Sequence, residues 1–424
     1  MSFPIKSWIK KIFPFCRSIT GEGLEKTLAF ISEKVPDLKI IKFKTGLKVF
    51  DWKIPKVWNI KDAYIENEKG EKYAKLSKSN LHVVSYSSPI NKYMSRDQLE
   101  KKIFTHPKIP EAIPYITSYY KEDWGFCMSE LEKNKMKGKK FKVFIDSDFS
   151  NGYLKLGECE IVGRKKKEIF FSTNICHPSM ANNELSGPMV QLALILYLKK
   201  NYPKPNYSYR FVFLPETIGS IAYLSKKINH LKKNVISGFT LSCVGDDRNF
   251  SIIESRNGDQ LSDKALKSSL INENHKIFSY LERGSDERQY CWPGVDLPVT
   301  GFCRTKYGEF KEYHTSLDNL SLINENGLNK SFEKLATIID AFELGIYPKT
   351  IHLCEPNLSN YDLYPTMGKV NNRYNKNIKN LINLLAYCDG KLSVFEIANK
   401  INYPLQNLLQ DLKKLSKKKI LKLS

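Results

Sequence analysis

Apolar residues recur at helical spacing near the N-terminus, at Leu24, Leu28, Ile31 and Val35, which predicts helix within residues 5–35. The texture then changes. Residues 43–130 are rich in Trp, Tyr and Pro, with short alternating runs such as NLHVVSYS at 80–87, the period of a half-buried strand. Pro107, Pro110 and Pro114 break any long helix there. From residue 141 short apolar runs alternate with helical patterns. Strands are predicted at 141–145, 158–162, 168–174, 209–214, 236–244 and 299–303. A nearly all-apolar helix is predicted at 187–199, and further helices at 220–228 and 326–344. Residues 263–270 and 275–280 carry helix and strand signals. Short buried strands separated by helices imply an open α/β sheet with helices on both faces.

Residues 355–370, rich in Pro, Asn, Tyr and Gly, read as a linker. Helices follow at 377–387, at 393–401 with Ser393 and Glu396 spaced as a capping box, and at 404–415 with Pro404 in its first turn. A short strand at 419–423 completes the order of a winged helix. In the third helix Leu405, Leu408, Leu409, Leu412 and Leu415 share one face, opposite Gln406, Asn407, Gln410, Asp411, Lys413 and Lys414. A DNA-reading helix usually presents Arg or Lys near its N-terminus. Here the cations sit at the C-terminal end, where the helix dipole favours them. A packing or protein-contact role is therefore expected, and a nucleic-acid partner is not. The chain divides into a discontinuous α/β domain (1–42 and 131–354), an inserted β-rich domain (43–130) and a winged-helix domain (371–424).

The chain has 424 residues, 42% of them hydrophobic and 26% charged, which excludes a largely disordered protein. No apolar run reaches membrane-spanning length, so no membrane span is expected. The basic, aromatic N-terminus lacks the apolar stretch of a secretory signal. Nine cysteines without CxxC spacing then read as reduced thiols, and a cytoplasmic location is expected. The net charge of +22 is mostly lysine and fits a general lysine bias on solvated faces; nucleic acid or an acidic substrate is the alternative.

Three patches place polar residues where buried strands end, the usual location of sites in open α/β sheets. The first, STNICHPSMANNELSG at 172–187, offers His177 and Glu184 on a short loop, a pair able to share a metal. The second, FVFLPETIGS at 211–220, sets Glu216 at the mouth of a strand, where a carboxylate with a raised pKa can act as a base. The third joins RGSDERQY at 283–290 with EYHTSLDNL at 312–320, offering Asp286 and His314. Singly, each patch also reads as helix capping or turn chemistry. Together they are more specific.

In this order the patches resemble the zinc exopeptidase superfamily of leucine aminopeptidases and glutaminyl cyclases. The resemblance rests on His177, ANNELSG at 181–187, PETIGS at 215–220, LSCVG at 241–245, GSDERQY at 284–290 and YHTSLD at 313–318. The chain looks most like an aminopeptidase-like branch with an inserted β module and a C-terminal winged helix, whose members often accompany bacterial surface-polysaccharide genes. DWKIPKVWNIKDAYI, SYYKEDWGF and DERQYCWPGVDLP carry that closer match. The resemblance implies a doubly wound mixed sheet and a metal-dependent hydrolase acting on a peptide, or on another amide such as one borne by a sugar precursor. Three usual ligand positions are lost. The bridging Asp falls on Asn183, the second Glu on Thr217, and the Asp of Leu-Asp-Met on Ser242. What remains implies one zinc on His177, His314 and a carboxylate, Glu184 or Asp286, with Glu216 as the base. Asn183, Arg288 and Tyr313 are expected to bind substrate, as are Tyr120 and Trp124 of the insert, lining the cleft near His177. A winged-helix DNA-binding regulator and a scaffold that has lost catalysis are the rival functions. A homo-oligomer is left open.

Overall fold

The computed structural model describes residues 3–364 and 372–423. Its central sheet has eight strands: β1 (Lys39–Lys44), β2 (Tyr153–Ile161), β3 (Lys165–Asn174), β4 (Tyr207–Leu214), β5 (Val235–Leu241), β6 (Phe250–Ile253), β7 (His275–Phe278) and β8 (Val299–Cys303). Across the sheet they run β1-β2-β4-β3-β5-β8-β6-β7. The centre, β4-β3-β5-β8, is parallel. Antiparallel pairings flank it, β1 with β2, β2 with β4, and β6 with β8. Successive side chains of a strand face opposite sides. Phe171, Phe211 and Phe213 thus enter one core, while Phe170, Val212 and Leu214 enter the other. Burial on both faces explains why these strands read as unbroken apolar runs.

Six helices complete the layers: α1 (Ile5–Ile12), α2 (Glu22–Lys34), α3 (Gly187–Asn201), α4 (Ile218–Asn234), α5 (Leu261–Ser269) and α6 (Glu325–Leu344). The helix expected within 5–35 is two helices. Between them lie Pro14 and Gly21, whose φ is 92°. A Cβ on Gly21 would stand 2.1 Å from the Trp58 carbonyl oxygen, so glycine is needed both for its conformation and for that approach. Strands β1 and β6 went unforeseen: β1 is at the sheet edge and mostly solvated, and β6 has only four residues.

The inserted sheet pairs Val57–Asn67 with Lys140–Ser150, flanked by Lys72–Tyr73 and Ile90–Ser95. The strand expected at 141–145 therefore lies in this sheet, beyond the 43–130 bounds read from the sequence. Phe43, at the other bound, belongs to β1.

The C-terminal helices are α7 (Asn372–Ala386), α8 (Val394–Lys400) and α9 (Leu405–Lys417). The linker reading of 355–370 falls partly outside the described residues. Ser393 and Glu396 do form the capping box that starts α8. Leu421–Lys422 pairs antiparallel with Lys349–Thr350, and the five leucines of α9 join the same core as α3 and α6. Among the described residues no helix is long and apolar enough to cross a membrane. All nine cysteines are free thiols, seven of them buried.

Candidate active site

The three patches of chemistry meet where β3, β4 and β5 end. Just beyond β3, Cys176 and His177 are buried, and residues Ala181–Ser186 form a wide π-type turn, all six buried, before α3. Such turns concentrate at functional sites. A Cβ on Gly187 would lie 2.4 Å from Thr173 Oγ1 and 2.5 Å from the Leu241 carbonyl oxygen, so glycine lets the start of α3 press on β3 and β5. Ser179, Thr217, Cys243 and His314 all have left-handed backbone, with φ of 47°, 65°, 52° and 54°. Four such non-glycine residues around one point indicate strain held by the surrounding structure.

His177 stands between two carboxylates. Its Nδ1 contacts Glu184, and its Nε2 lies 3.8 Å from Glu216 Oε2. Burial pulls the imidazole pKa down, but Glu184 and Glu216 outweigh it, so His177 sits above its ordinary value. Burial raises Glu216 above the usual carboxylate range against the opposing pull of His177. Glu184 also accepts a bond from the Cys176 backbone N–H at 3.0 Å. The His314 ring centroid is 5.1 Å from that of His177. Burial and then the His177 charge push His314 down to about 3, so it is neutral, and its buried Nε2 has no hydrogen-bond partner. A buried, neutral, unpartnered imidazole nitrogen is a ready ligand atom.

Among the described residues, Cys176, His177 and Glu184 form the group whose donor atoms lie close enough to share an ion, within 4.8 Å of one another. Neither His314 nor Asp286 belongs to it. Asp286 instead accepts from the Thr217 backbone N–H and from Ser220 Oγ, both at 2.8 Å. It thereby fixes the turn that carries Glu216. Burial and then Glu216 push Asp286 up to about 8.

Asn183, Thr217 and Ser242, the three positions that depart from the resemblance, are engaged in hydrogen bonds, one of them from the Arg288 guanidinium. Asn183 Nδ2 donates to Ser242 Oγ at 3.3 Å, and Arg288 donates to Thr217 Oγ1. A guanidinium beside Thr217 opposes a metal cation there. Tyr313 stacks on His314, with ring centroids 3.9 Å apart.

The insert reaches this site through residues 113–120. The Tyr115 backbone N–H donates to the His314 carbonyl at 2.8 Å, and Ile113 and Ser316 bond reciprocally. The Tyr115 ring lies edge-on to both histidines, at 4.8 and 5.3 Å. A cavity of about 360 Å³ opens onto His177, Glu216 and His314, with Tyr115, Tyr120 and Arg288 in its wall. Tyr120 thus lines the cleft. Trp124 does not: it packs against the insert's own core, under the Lys102 ammonium, because the chain turns back to form Phe126–Cys127 beside Ile103–Phe104. Cys176, Tyr115 and Arg17 were not foreseen. Arg17 is fully buried and donates to the carbonyls of His177 and Ile12. Cys176 adjoins His177 in sequence, which was the available signal; Arg17 and Tyr115 reach the site through tertiary packing and left none.

A family model described as "Domain of unknown function (DUF4910)" matches residues 6–345, and a winged helix-turn-helix model matches residues 345–423. A protein of Clostridium acetobutylicum, provisionally named a polysaccharide biosynthesis protein with an aminopeptidase-like domain, is 41% identical over 405 residues, 93% of this chain and 91% of its own. A crystal structure of a provisionally named peptidase from C. acetobutylicum superposes with a TM-score of 0.89 at 38% identity, covering 99% of this chain and 96% of that one. The zinc aminopeptidase of Bacillus subtilis shares the fold, at a TM-score of 0.57 and 14% identity over 79% of this chain and 93% of its own.

Proposed function

For a chain that belongs to the DUF4910 family, with an aminopeptidase-like fold and a C-terminal winged helix, we propose a single-metal hydrolase that cleaves an amide. One observation carries this reading: a buried His177 held between Glu184 and Glu216, with the unpartnered Nε2 of His314 beside it. Two members of the close donor group, His177 and Glu184, suit one zinc ion once the unpartnered His314 nitrogen beside them turns toward it. His177, His314 and Glu184 would hold it, an N,N,O set of the catalytic kind. Asn183, Thr217 and Ser242 supply no charge for a second ion, and Arg288 opposes one. When bound, the metal polarises the amide carbonyl and acidifies a water.

The chain's own groups do the rest. Glu216, raised by burial, takes a proton at its carboxylate and returns it to the leaving amine. Asp286 keeps the Glu216 turn in place through the Thr217 N–H. Tyr115 and the Tyr119–Tyr120 wall exclude water from one side of the cleft. The substrate class is an amide on a peptide or sugar precursor, the second supported by the polysaccharide role that the C. acetobutylicum relative's name carries.

The test is elemental analysis of purified protein beside turnover of aminoacyl amides and N-acyl amino sugars. One zinc per chain is expected. Glu216→Gln should abolish hydrolysis and leave zinc content unchanged; His177→Ala or His314→Ala should remove both. Two tightly held metals, or full activity in Glu216→Gln, would refute it.

A further inference from the structure

A second cavity, of about 540 Å³, adjoins the site and shares Trp52 and Arg288 with its wall. Its chemistry differs from that of the catalytic cavity. Phe50, Trp292, Ile221 and Leu224 make most of its wall apolar, and its charged lining is two arginines, Arg283 and Arg288, and a single carboxylate, Asp51. The general lysine excess does not account for this. The chain has ten arginines against 57 lysines, yet this lobe uses arginine. Guanidinium presents a planar fork that matches carboxylate and phosphate, which ammonium does not. The Arg288 Nε is buried and without a hydrogen-bond partner, a donor in want of an acceptor. Arg283 is held over the Tyr280 ring at 4.5 Å and donates Nη1 to the Tyr280 carbonyl, which orients its fork in advance. Trp292 and Phe50 are 56% and 52% exposed, a large uncovered aromatic surface in the cavity wall.

We propose that this lobe is the specificity subsite and takes an oxyanion, carboxylate or phosphate, carried on a ring that packs against Trp292 and Phe50. The substrate of the hydrolase is then an acidic amide, and not a neutral peptide end. That assignment of the ligand as substrate rests on the proposed hydrolase; the binding itself does not, because it needs neither metal nor turnover.

The experiment therefore measures binding alone, by quenching of tryptophan emission in the full-length Glu216→Gln protein, with and without metal. Three probes are used: hippurate, phenyl phosphate and the uncharged hippuramide. At least one anion should bind about tenfold or more tightly than hippuramide, the worth of a charge-assisted hydrogen bond. Preference between the two anions identifies the group. Arg283→Gln should erase the difference, and Arg283→Lys should restore only part of it while showing that the site still folds. Equal binding of hippuramide and the anions would overturn the subsite. So would anion affinity unchanged in Arg283→Gln, or affinities weaker than about 1 mM for both anions. Loss of hydrolysis with anion binding intact would instead count against the hydrolase and leave the subsite standing.

Discussion

A buried thiol among carboxylates is a poor nucleophile, since the thiolate does the work. Cys176 has Glu184 Oε1 and His177 Nδ1 each 3.6 Å from its sulfur. Burial first, then Glu184 and Glu216, raise its pKa well above the ordinary value. Its sulfur instead accepts the Glu216 backbone N–H at 3.3 Å, which ties the ends of β3 and β4 together. With its sulfur engaged by the Glu216 N–H, Cys176→Ala should leave the zinc content of the proposed site unchanged while His314→Ala removes it, as read by elemental analysis after dialysis. Zinc lost equally from both would make Cys176 a ligand. The site was legible at this scale only where chemistry stands in the strand-end motifs. His177, Glu184 and Glu216 converge because β3 and β4 are parallel neighbours ending at one level. Trp124 misled because an aromatic in a loop-rich module says nothing about which core claims it. Tyr115 was invisible in the sequence because its place comes from the Pro114–Thr315 bridge between distant segments.

At the scale of elements, β2, β3 and β4 also carry a buried ionic network. Arg210 is 1% exposed and pairs with Glu158 and Glu160 at 2.9 Å and with Glu168 at 2.8 Å. Tyr223 and His230 of α4 close it over the carboxylates. Burial alone would raise Glu158 and Glu168. The Tyr223 hydroxyl and Arg210 at Glu158, and Arg210 and His230 at Glu168, outweigh it and hold both below the usual 4.5. A depressed carboxylate stabilises the fold fully above its unfolded value and loses that contribution as pH falls through the folded one. Arg210→Met should cost about 3–5 kcal/mol near neutrality, since it strands buried carboxylates. In denaturant titrations the gap to the parent should be widest above pH 4.5 and narrow with acidification. A gap independent of pH would mean that packing and not charge was lost. The strands themselves were legible because burial on both faces makes apolar runs. The network was not, because Arg210 is a lone polar residue whose partners lie on neighbouring strands.

For the whole molecule, the order of elements foretold an α/β body with a winged helix, but not that the two share one core. α8 packs on α5, with Lys264 paired to Glu396 at 3.0 Å and Asn399 Nδ2 donating to the Lys264 carbonyl. Phe395 meets Phe342 of α6 edge-on, with centroids 5.2 Å apart. The leucine face of α9 is buried in the same cluster, and its outer face shows Gln406, Asn407 and Gln410, with Lys413, Lys414 and Lys417 only toward its C-terminus. The pairing of Lys349–Thr350 with Leu421–Lys422 places the end of the winged helix against the chain leaving α6. A duplex-reading surface needs a free helix face with cations at its N-terminal end; here one face is spent on the α/β body and the other lacks the charge. The full-length protein should therefore show only weak duplex binding that is indifferent to sequence and vanishes steeply with salt, the behaviour of a lysine-rich surface. Truncation after Tyr347 should expose the Phe342 and Leu335 faces and give an aggregating or much less stable protein. A truncated chain as stable as the parent, or a defined duplex held tightly near physiological salt, would restore the winged helix as a DNA-binding module.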